Sequence, residues 1–452
     1  MNKRKILTLV SFLLSVILLT GCSLELPESI TKPLSDAFEG MKIVYQEMMD
    51  TLGLSHDEEN VTVEDITEYL NEDGTYSKEG EESEVLTEDD LDKYEFVDSE
   101  SVKETQSESS EKYYYKLLDS NERKVYSEIL YILTNMQSEV ALSTTDIDMV
   151  DKVFEYVYND HPELFYVDGY NYVKYLIEDE VKKLTFTGSY TMTEDKVSSY
   201  RTKIDEYTDN FLNAYNESLL ELSEDEVADD YYKCRFTYEY IIENTDYDKD
   251  APDNQTIVSV MVNGKSVCSG YSKTAQYLLE KLGIENTFVR GRVTEGETHS
   301  WNLVKADGDY YYMDVTWGDA TFTLKDASEE YEQSLPPVNY SYMLTTTEEL
   351  KKTHIFDEEE LFPEATSMKD DYFVREGLYF TELDKSKLKA AFKNAYARGD
   401  DLIMIKMSED AVYDDIWDYL INKQRVFDYL RNSGGSVSYS ENREQLYMII
   451  WI

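Results

Sequence analysis

Cys268, His299 and Asp314 are the residues of this sequence whose types and spacing can do chemistry together. The cysteine stands in Asn263-Gly264-Lys265-Ser266-Val267-Cys268-Ser269-Gly270-Tyr271, between turn residues and the first turn of an expected helix. Unpaired backbone N–H groups and the positive end of the helix dipole favour a thiolate there, lowering a pKa that starts near ~8.5. A histidine close by lowers it further by forming an ion pair. The Cys268 backbone N–H is also placed to serve as an oxyanion donor. A carboxylate that orients the imidazole and stabilises its charged form completes a nucleophilic triad. The chemistry is attack on a peptide or carboxamide carbonyl, a thioester, and release to water or to an amine.

The elements around these residues position them. A helix is expected over 267–282, with Tyr271, Ala275, Leu278, Leu279 and Leu282 facing inward and Gly283 stopping it. Three strands should follow, at 284–293, 299–306 and 309–317, the last two joined by the two-residue loop Asp307-Gly308. That loop sets Ala306 opposite Asp309, hence Trp301 opposite Asp314 and His299 opposite Thr316. Period-two alternation then puts His299 and Asp314 on one face as diagonal neighbours. A one-residue slip would separate them.

Several phrases in order carry a resemblance: Gly264-Lys265-Ser266-Val267-Cys268-Ser269-Gly270-Tyr271-Ser272, then Leu282-Gly283-Ile284, then His299-Ser300-Trp301-Asn302, then Tyr312-Met313-Asp314-Val315-Thr316-Trp317. Together they resemble the transglutaminase-like core of the papain-like thiol enzymes, over roughly residues 231–319. The resemblance implies an α+β fold in which a helix carrying the cysteine packs on an antiparallel sheet carrying His and Asp. It implies catalytic roles for Cys268, His299 and Asp314, with Tyr271, Trp301 and Trp317 as supporting residues. It also implies a second oxyanion donor upstream, for which Tyr247 and Gln255 are candidates. No cofactor is expected. No metal is expected either, since the calcium sites of animal transglutaminases map onto no run here and no His or Cys pair has ligand spacing.

The N-terminus sets the compartment. Lys3, Arg4 and Lys5 precede an apolar run over 6–19, too short for a comfortable spanning helix, which ends in Leu19-Thr20-Gly21-Cys22. This looks like a bacterial lipobox: residues 1–21 form a signal peptide and Cys22 is the lipidation site. The expected location is the extracytoplasmic face of the cell membrane, lipid-anchored. Substrates expected there are proteins, peptides or cell-wall peptides. A formal net charge of −51 argues against nucleic acid, because phosphate binding needs a basic face. It suits solubility and self-repulsion at a surface, with attraction of cationic substrates as the sharper alternative.

Residues 22–112 read as an acidic tether, largely disordered, with a short amphipathic helix over 35–52. Its stretch 71–112 holds sixteen Asp/Glu against four Lys. Residues 113–222 read as a helical and hairpin extension. Residues 223–330 form the catalytic core, with a helix capped by Ser223 that carries Val227, Tyr231, Cys234, Tyr238 and Ile241 on one stripe. Cys234 is thus a core residue, and a Cys234–Cys268 disulfide would block the only well-placed nucleophile. Residues 331–383 connect, with a strand at 372–380 and an isolated His354 supporting a turn. Residues 384–452 form a small α/β domain: a helix to about 397, a strand at 402–407, a helix at 411–430 and strand material from 436. A non-catalytic binding or scaffold lipoprotein of the same fold is the competing reading, and hydrolysis competes with transamidation within the first.

Overall fold

The computed structural model describes residues 61–70, 76–86, 88–177, 180–222, 227–294, 296–319, 338–431 and 435–452. The signal peptide, Cys22, the helix expected over 35–52 and the Ser223 cap lie outside them. All described residues belong to one compact unit, Val61–Ile452.

The strands in chain order are β1 Val61–Leu70, β2 Tyr76–Leu86, β3 Val140–Ala141, β4 Val167–Ile177, β5 Glu180–Tyr190, β6 Asp246–Tyr247, β7 Lys265–Ser266, β8 Asn286–Val293, β9 Thr298–Ala306, β10 Asp309–Met313, β11 His354–Phe356, β12 Tyr379–Phe380, β13 Leu402–Met407, β14 Tyr439–Asn442 and β15 Tyr447–Trp451. They form a five-stranded sheet β2-β1-β4-β5-β3, a four-stranded sheet β10-β9-β8-β11, a four-stranded sheet β12-β13-β15-β14 and the parallel pair β6-β7. The fold is α+β. Its centre is the helix Cys268–Lys281 packed against β9 and β8 of the antiparallel β10-β9-β8-β11 sheet.

That helix starts at Cys268 with Val267 as its N-terminal cap, and Leu282 and Gly283 end it, the glycine at φ 76°. Tyr271, Ala275, Leu278 and Leu279 are buried. Ser272 pins the helix to β9: its Oγ lies 2.9 Å from both the Cys268 and the Ser300 carbonyl oxygens. The buried Asn302 side chain donates to the Ser272 carbonyl at 3.0 Å.

Residues 113–222 clamp the helix from behind. Gln276 Nε2 donates to the Asn159 carbonyl at 2.9 Å, Lys112 pairs with Glu280 at 2.8 Å, and the Tyr114 hydroxyl donates to the Phe288 carbonyl at 2.9 Å. A buried carboxylate, Asp160, organises this clamp by accepting from the Tyr114 and Tyr115 backbone amides and the Tyr126 hydroxyl. His161 ends the helix Ile147–Asp160 and bonds Glu163 Oε1 through Nδ1 at 2.7 Å.

Five expectations are corrected. First, the tether is not extended throughout. β1 within it pairs with β4 of the extension, and Asp98 caps the helix Ser99–Glu108, accepting from the Glu100 and Ser101 amides at 3.0 Å each. Val102 and Thr105 are buried on that helix, so a sparse apolar face survives in an acidic segment whose average composition hides it. Second, the helix carrying Cys234 is Asp230–Glu243, capped by Asp229, and Val227 is exposed before it. Third, 372–380 is a helical turn, Tyr372–Arg375, followed by β12, because Asp371 caps the turn through the Phe373 and Val374 amides. Fourth, the helix at 411–430 is broken into Asp410–Trp417, a π-turn Asp418–Asn422 and the 3₁₀ segment Arg425–Asp428. Nor does the last sheet begin at 384: β12 pairs with β13, and Lys406 on β13 pairs with Glu349 at 2.7 Å.

Candidate active site

The Asp307-Gly308 loop sets the geometry. Asp307 and Gly308 have φ of 49° and 94°, the left-handed pair that a two-residue hairpin of this twist requires. Ala306 pairs with Asp309 as expected, and pairing continues to Met313 opposite Asn302. There the strand stops, earlier than 317. Asp314 caps a helical turn, Val315–Gly318, and its Oδ1 accepts from the Thr316 and Trp317 amides at 2.9 and 3.1 Å. The diagonal pairing across a strand is thus replaced by a cap. It still delivers the carboxylate: Asp314 Oδ2 lies 2.7 Å from His299 Nε2.

Cys268 occupies the first helical position, partly exposed, and its thiol lies within electrostatic reach of His299. Since Nε2 of His299 faces Asp314, Nδ1 is the ring nitrogen left for the sulfur. Burial pushes the Cys268 thiol up, but the His299 hydrogen bond and charge, with a hydrogen bond from Ser300, outweigh it and hold the thiol below its ordinary value. Burial likewise favours neutral His299, yet the Asp314 carboxylate and then Cys268 raise its pKa to about 10. Asp314 is completely buried. The burial that would raise it is overcome by His299 and by two imidazole hydrogen bonds, which keep it below the usual carboxylate range. The arrangement favours a thiolate–imidazolium pair.

The supporting residues surround this pair. The buried Tyr271 hydroxyl donates to Asp319 Oδ2 at 2.8 Å, joining the cysteine helix to the end of the turn that Asp314 begins. The rings of Trp301 and Trp317 lie 6.1 and 5.8 Å from that of His299. Tyr247 is on β6, its ring 6.4 Å from Tyr271. Burial and then the nearby Cys268 charge raise its phenol. Gln255 is half-buried in the turn at 251–256. Cys234 is fully buried and its thiol is pushed up by that burial; Cys234 and Cys268 are both free.

One residue was misjudged from sequence. His354 does not merely support a turn. It lies on β11, which pairs with β8, and its Nε2 is 3.0 Å from the same Asp314 oxygen that His299 uses. The signal was too weak to see: a three-residue edge strand far along the chain has no periodicity to read. Ligand atoms of His299, Asp314 and His354 lie within 4.8 Å of one another, a donor set that a divalent transition metal would accept. Their separations from the carboxylate oxygen, 2.7 and 3.0 Å, are hydrogen-bond lengths, tighter than the ~3.3 Å between ligands around tetrahedral zinc.

With this geometry in hand, residues 221–315 match the family described as the Transglutaminase-like superfamily. No curated protein matches the chain. A solved structure described as the crystal structure of a TGase is similar over 34% of this chain and 47% of that one, with 17% identity and a TM-score of 0.24. This chain therefore spans just under half of that structure's length.

Proposed function

We propose, starting from the transglutaminase-like superfamily domain over residues 221–315, that the protein is a thiol enzyme acting on peptide or carboxamide bonds. The observation that carries this reading is the placement of Cys268 at the start of its helix within electrostatic reach of His299, whose Nε2 lies 2.7 Å from Asp314 Oδ2.

The Cys268 thiolate attacks the carbonyl carbon, and the Cys268 backbone N–H faces the developing oxyanion. Imidazolium His299 gives its Nδ1 proton to the leaving amine as the C–N bond breaks, leaving a thioester. Neutral His299 then takes a proton from the second nucleophile. Water yields the acid, an amine yields a new amide, and either expels the Cys268 thiolate and restores the thiolate–imidazolium pair. Asp314 keeps Nε2 protonated and stabilises the cation. Tyr247, whose phenol feels the Cys268 charge, is one of the two expected oxyanion donors.

The lipobox supports anchoring through Cys22 on the extracytoplasmic face, which would give the site surface proteins, peptides or cell-wall peptides as substrates. Among the described residues, no helix is long and apolar enough to cross a membrane. Mass analysis of the N-terminal peptide tests the anchor: a diacylglyceryl-modified Cys22 is expected, and an unmodified chain beginning before residue 22 would exclude it.

The activity is tested by incubating the protein with an amine probe and a peptide library, followed by mass spectrometry. Thioester trapping should appear and vanish in Cys268→Ala. Amine incorporation would identify transamidation, and shortened or deamidated peptides alone would identify hydrolysis. Equal product from Cys268→Ala would overturn the role of Cys268, and no product from either protein would leave the competing reading, a binding or scaffold module of the same fold.

A further inference from the structure

Asp314 accepts four hydrogen bonds, and only one comes from the residue it is proposed to serve. The Thr316 and Trp317 amides hold Oδ1, while His299 Nε2 and His354 Nε2 share Oδ2. A carboxylate only accepts, so both imidazoles must present Nε2–H to it. His354 meets this condition in its neutral form: Thr353 Oγ1 lies 2.8 Å from Nδ1, within reach to donate there or to the Leu350 carbonyl at 3.3 Å.

The ring is also caged. Trp301 and Trp317 each lie 4.9 Å from it, Tyr342 5.7 Å and His299 5.3 Å, centroid to centroid. The titratable groups facing it are Asp314, His299 and Tyr342. Burial lowers the His354 pKa, and the His299 charge adds to that, so one cation and one neutral ring share the carboxylate. Support reaches further back. Tyr342 gives its carbonyl to the Asp314 amide at 2.9 Å and receives a side-chain hydrogen bond from Gln445, in the turn between β14 and β15.

We propose that His354 is a positioning residue that, through its Nε2–H bond to Asp314 Oδ2, fixes the carboxylate in the rotation that presents its remaining lone pair to His299. The proposal rests on the thiol-enzyme reading above. It adds that reading's missing restraint: two backbone amides fix Oδ1, and among the described residues only His299 and His354 bond Oδ2. By this route β11, the last sheet and the active site are mechanically linked.

The test uses the full-length folded protein and needs no substrate. The rate of Cys268 alkylation by iodoacetamide is followed against pH, counting the Cys268 peptide by mass spectrometry so that Cys234 does not interfere. Wild type should show an acid limb below that of an ordinary thiol. His354→Phe keeps a flat ring in the cage without the donor. It should move the limb up by about one pH unit or more, as loss of a charge-assisted hydrogen bond entails. His354→Gln, which restores an N–H donor, should recover at least half of the shift at equal thermal stability. A purely structural ring would lower the melting temperature without moving the limb. An unmoved limb in His354→Phe, or a His354→Gln as impaired as His354→Phe, overturns the proposal. A wild-type limb at the ordinary thiol value instead overturns the enzyme reading beneath it. Should His354→Phe fail to fold, ¹⁵N-histidine spectra of wild type decide. Four histidines are present, and His354 should titrate below the ordinary imidazole value, with the proton of its neutral form on Nε2. A neutral-form proton on Nδ1 overturns the proposal.

Discussion

The Tyr271 hydroxyl donates to Asp319 Oδ2 at 2.8 Å, with the Thr245 carbonyl 3.1 Å away as a second acceptor. One phenol, fully buried, thereby holds the helix that starts at Cys268 against the turn that starts at Asp314. Tyr271→Phe keeps the ring and removes a donor from a buried carboxylate. It should cost about 1–3 kcal/mol, read as a drop in melting temperature. It should also slow Cys268 alkylation at neutral pH, because the two halves of the site lose their common restraint. An unchanged melting temperature would mean that water replaces the phenol.

The His299 shift gives a stability prediction with a definite sign. Its folded pKa, about 10, lies above the ordinary 6.5. The folded state therefore binds the proton more tightly, and the resulting stabilisation is fully present below pH 6.5 and lost as pH rises through about 10. His299→Gln should be less stable than wild type at pH 6, with the gap closing towards pH 10.5. Asp314 works the other way, with a pKa below the usual range. Its contribution is present above pH ~3.9, its ordinary value, and lost as pH falls through the lowered one. Urea melts of the two proteins at intervals between pH 5 and 10.5 check the alkaline limb. A gap that widens on the alkaline side would contradict the ion pair.

What the sequence disclosed follows from how local each cause is. The cysteine helix, its Gly283 stop and the Asp307-Gly308 turn were readable because each is encoded within a few neighbouring residues. β13 was read at its observed bounds for the same reason. Asp314 was placed beside His299 for partly the wrong reason: a strand was expected to continue, whereas the carboxylate prefers the free amides of Thr316 and Trp317. His354 was missed because its meaning depends on β11 pairing with β8 across some sixty residues of chain. The pairing of β1 with β4 is equally nonlocal, and the acidity around it pointed away from a sheet.

The Asp307-Gly308 turn should be the most sensitive surface position in the domain. Gly308 has φ 94°, so Gly308→Val forces a β-branched residue into the left-handed region and should destabilise by ~1–3 kcal/mol. A single glycine inserted after Gly308 is more informative. It breaks the Ala306–Asp309 register and shifts Asp314 relative to His299. The inserted variant should retain most of its circular dichroism yet show Cys268 alkylating as an ordinary thiol. A thiol still activated after the insertion would show that the Asp314 cap, and not the hairpin register, fixes the site.

Gly291 is where β8 lets β11 come close. It pairs with His299 on one side and Phe356 on the other, and a Cβ there would run into the Ile355 carbonyl and the Trp301 ring. Neither obstacle is a flexible chain end, so Gly291→Ala must push β11 outward at a cost of about 1–3 kcal/mol. That movement carries His354 away from Asp314. The alkylation limb of Cys268 should therefore rise in Gly291→Ala, in the same direction as in His354→Phe. Combining the two substitutions should add little to the limb shift while their effects on melting temperature accumulate, since the thiol is affected through one bond and the core through two. Additive limb shifts would mean that Gly291 acts on His299 directly through β9, and that β11 is not the route.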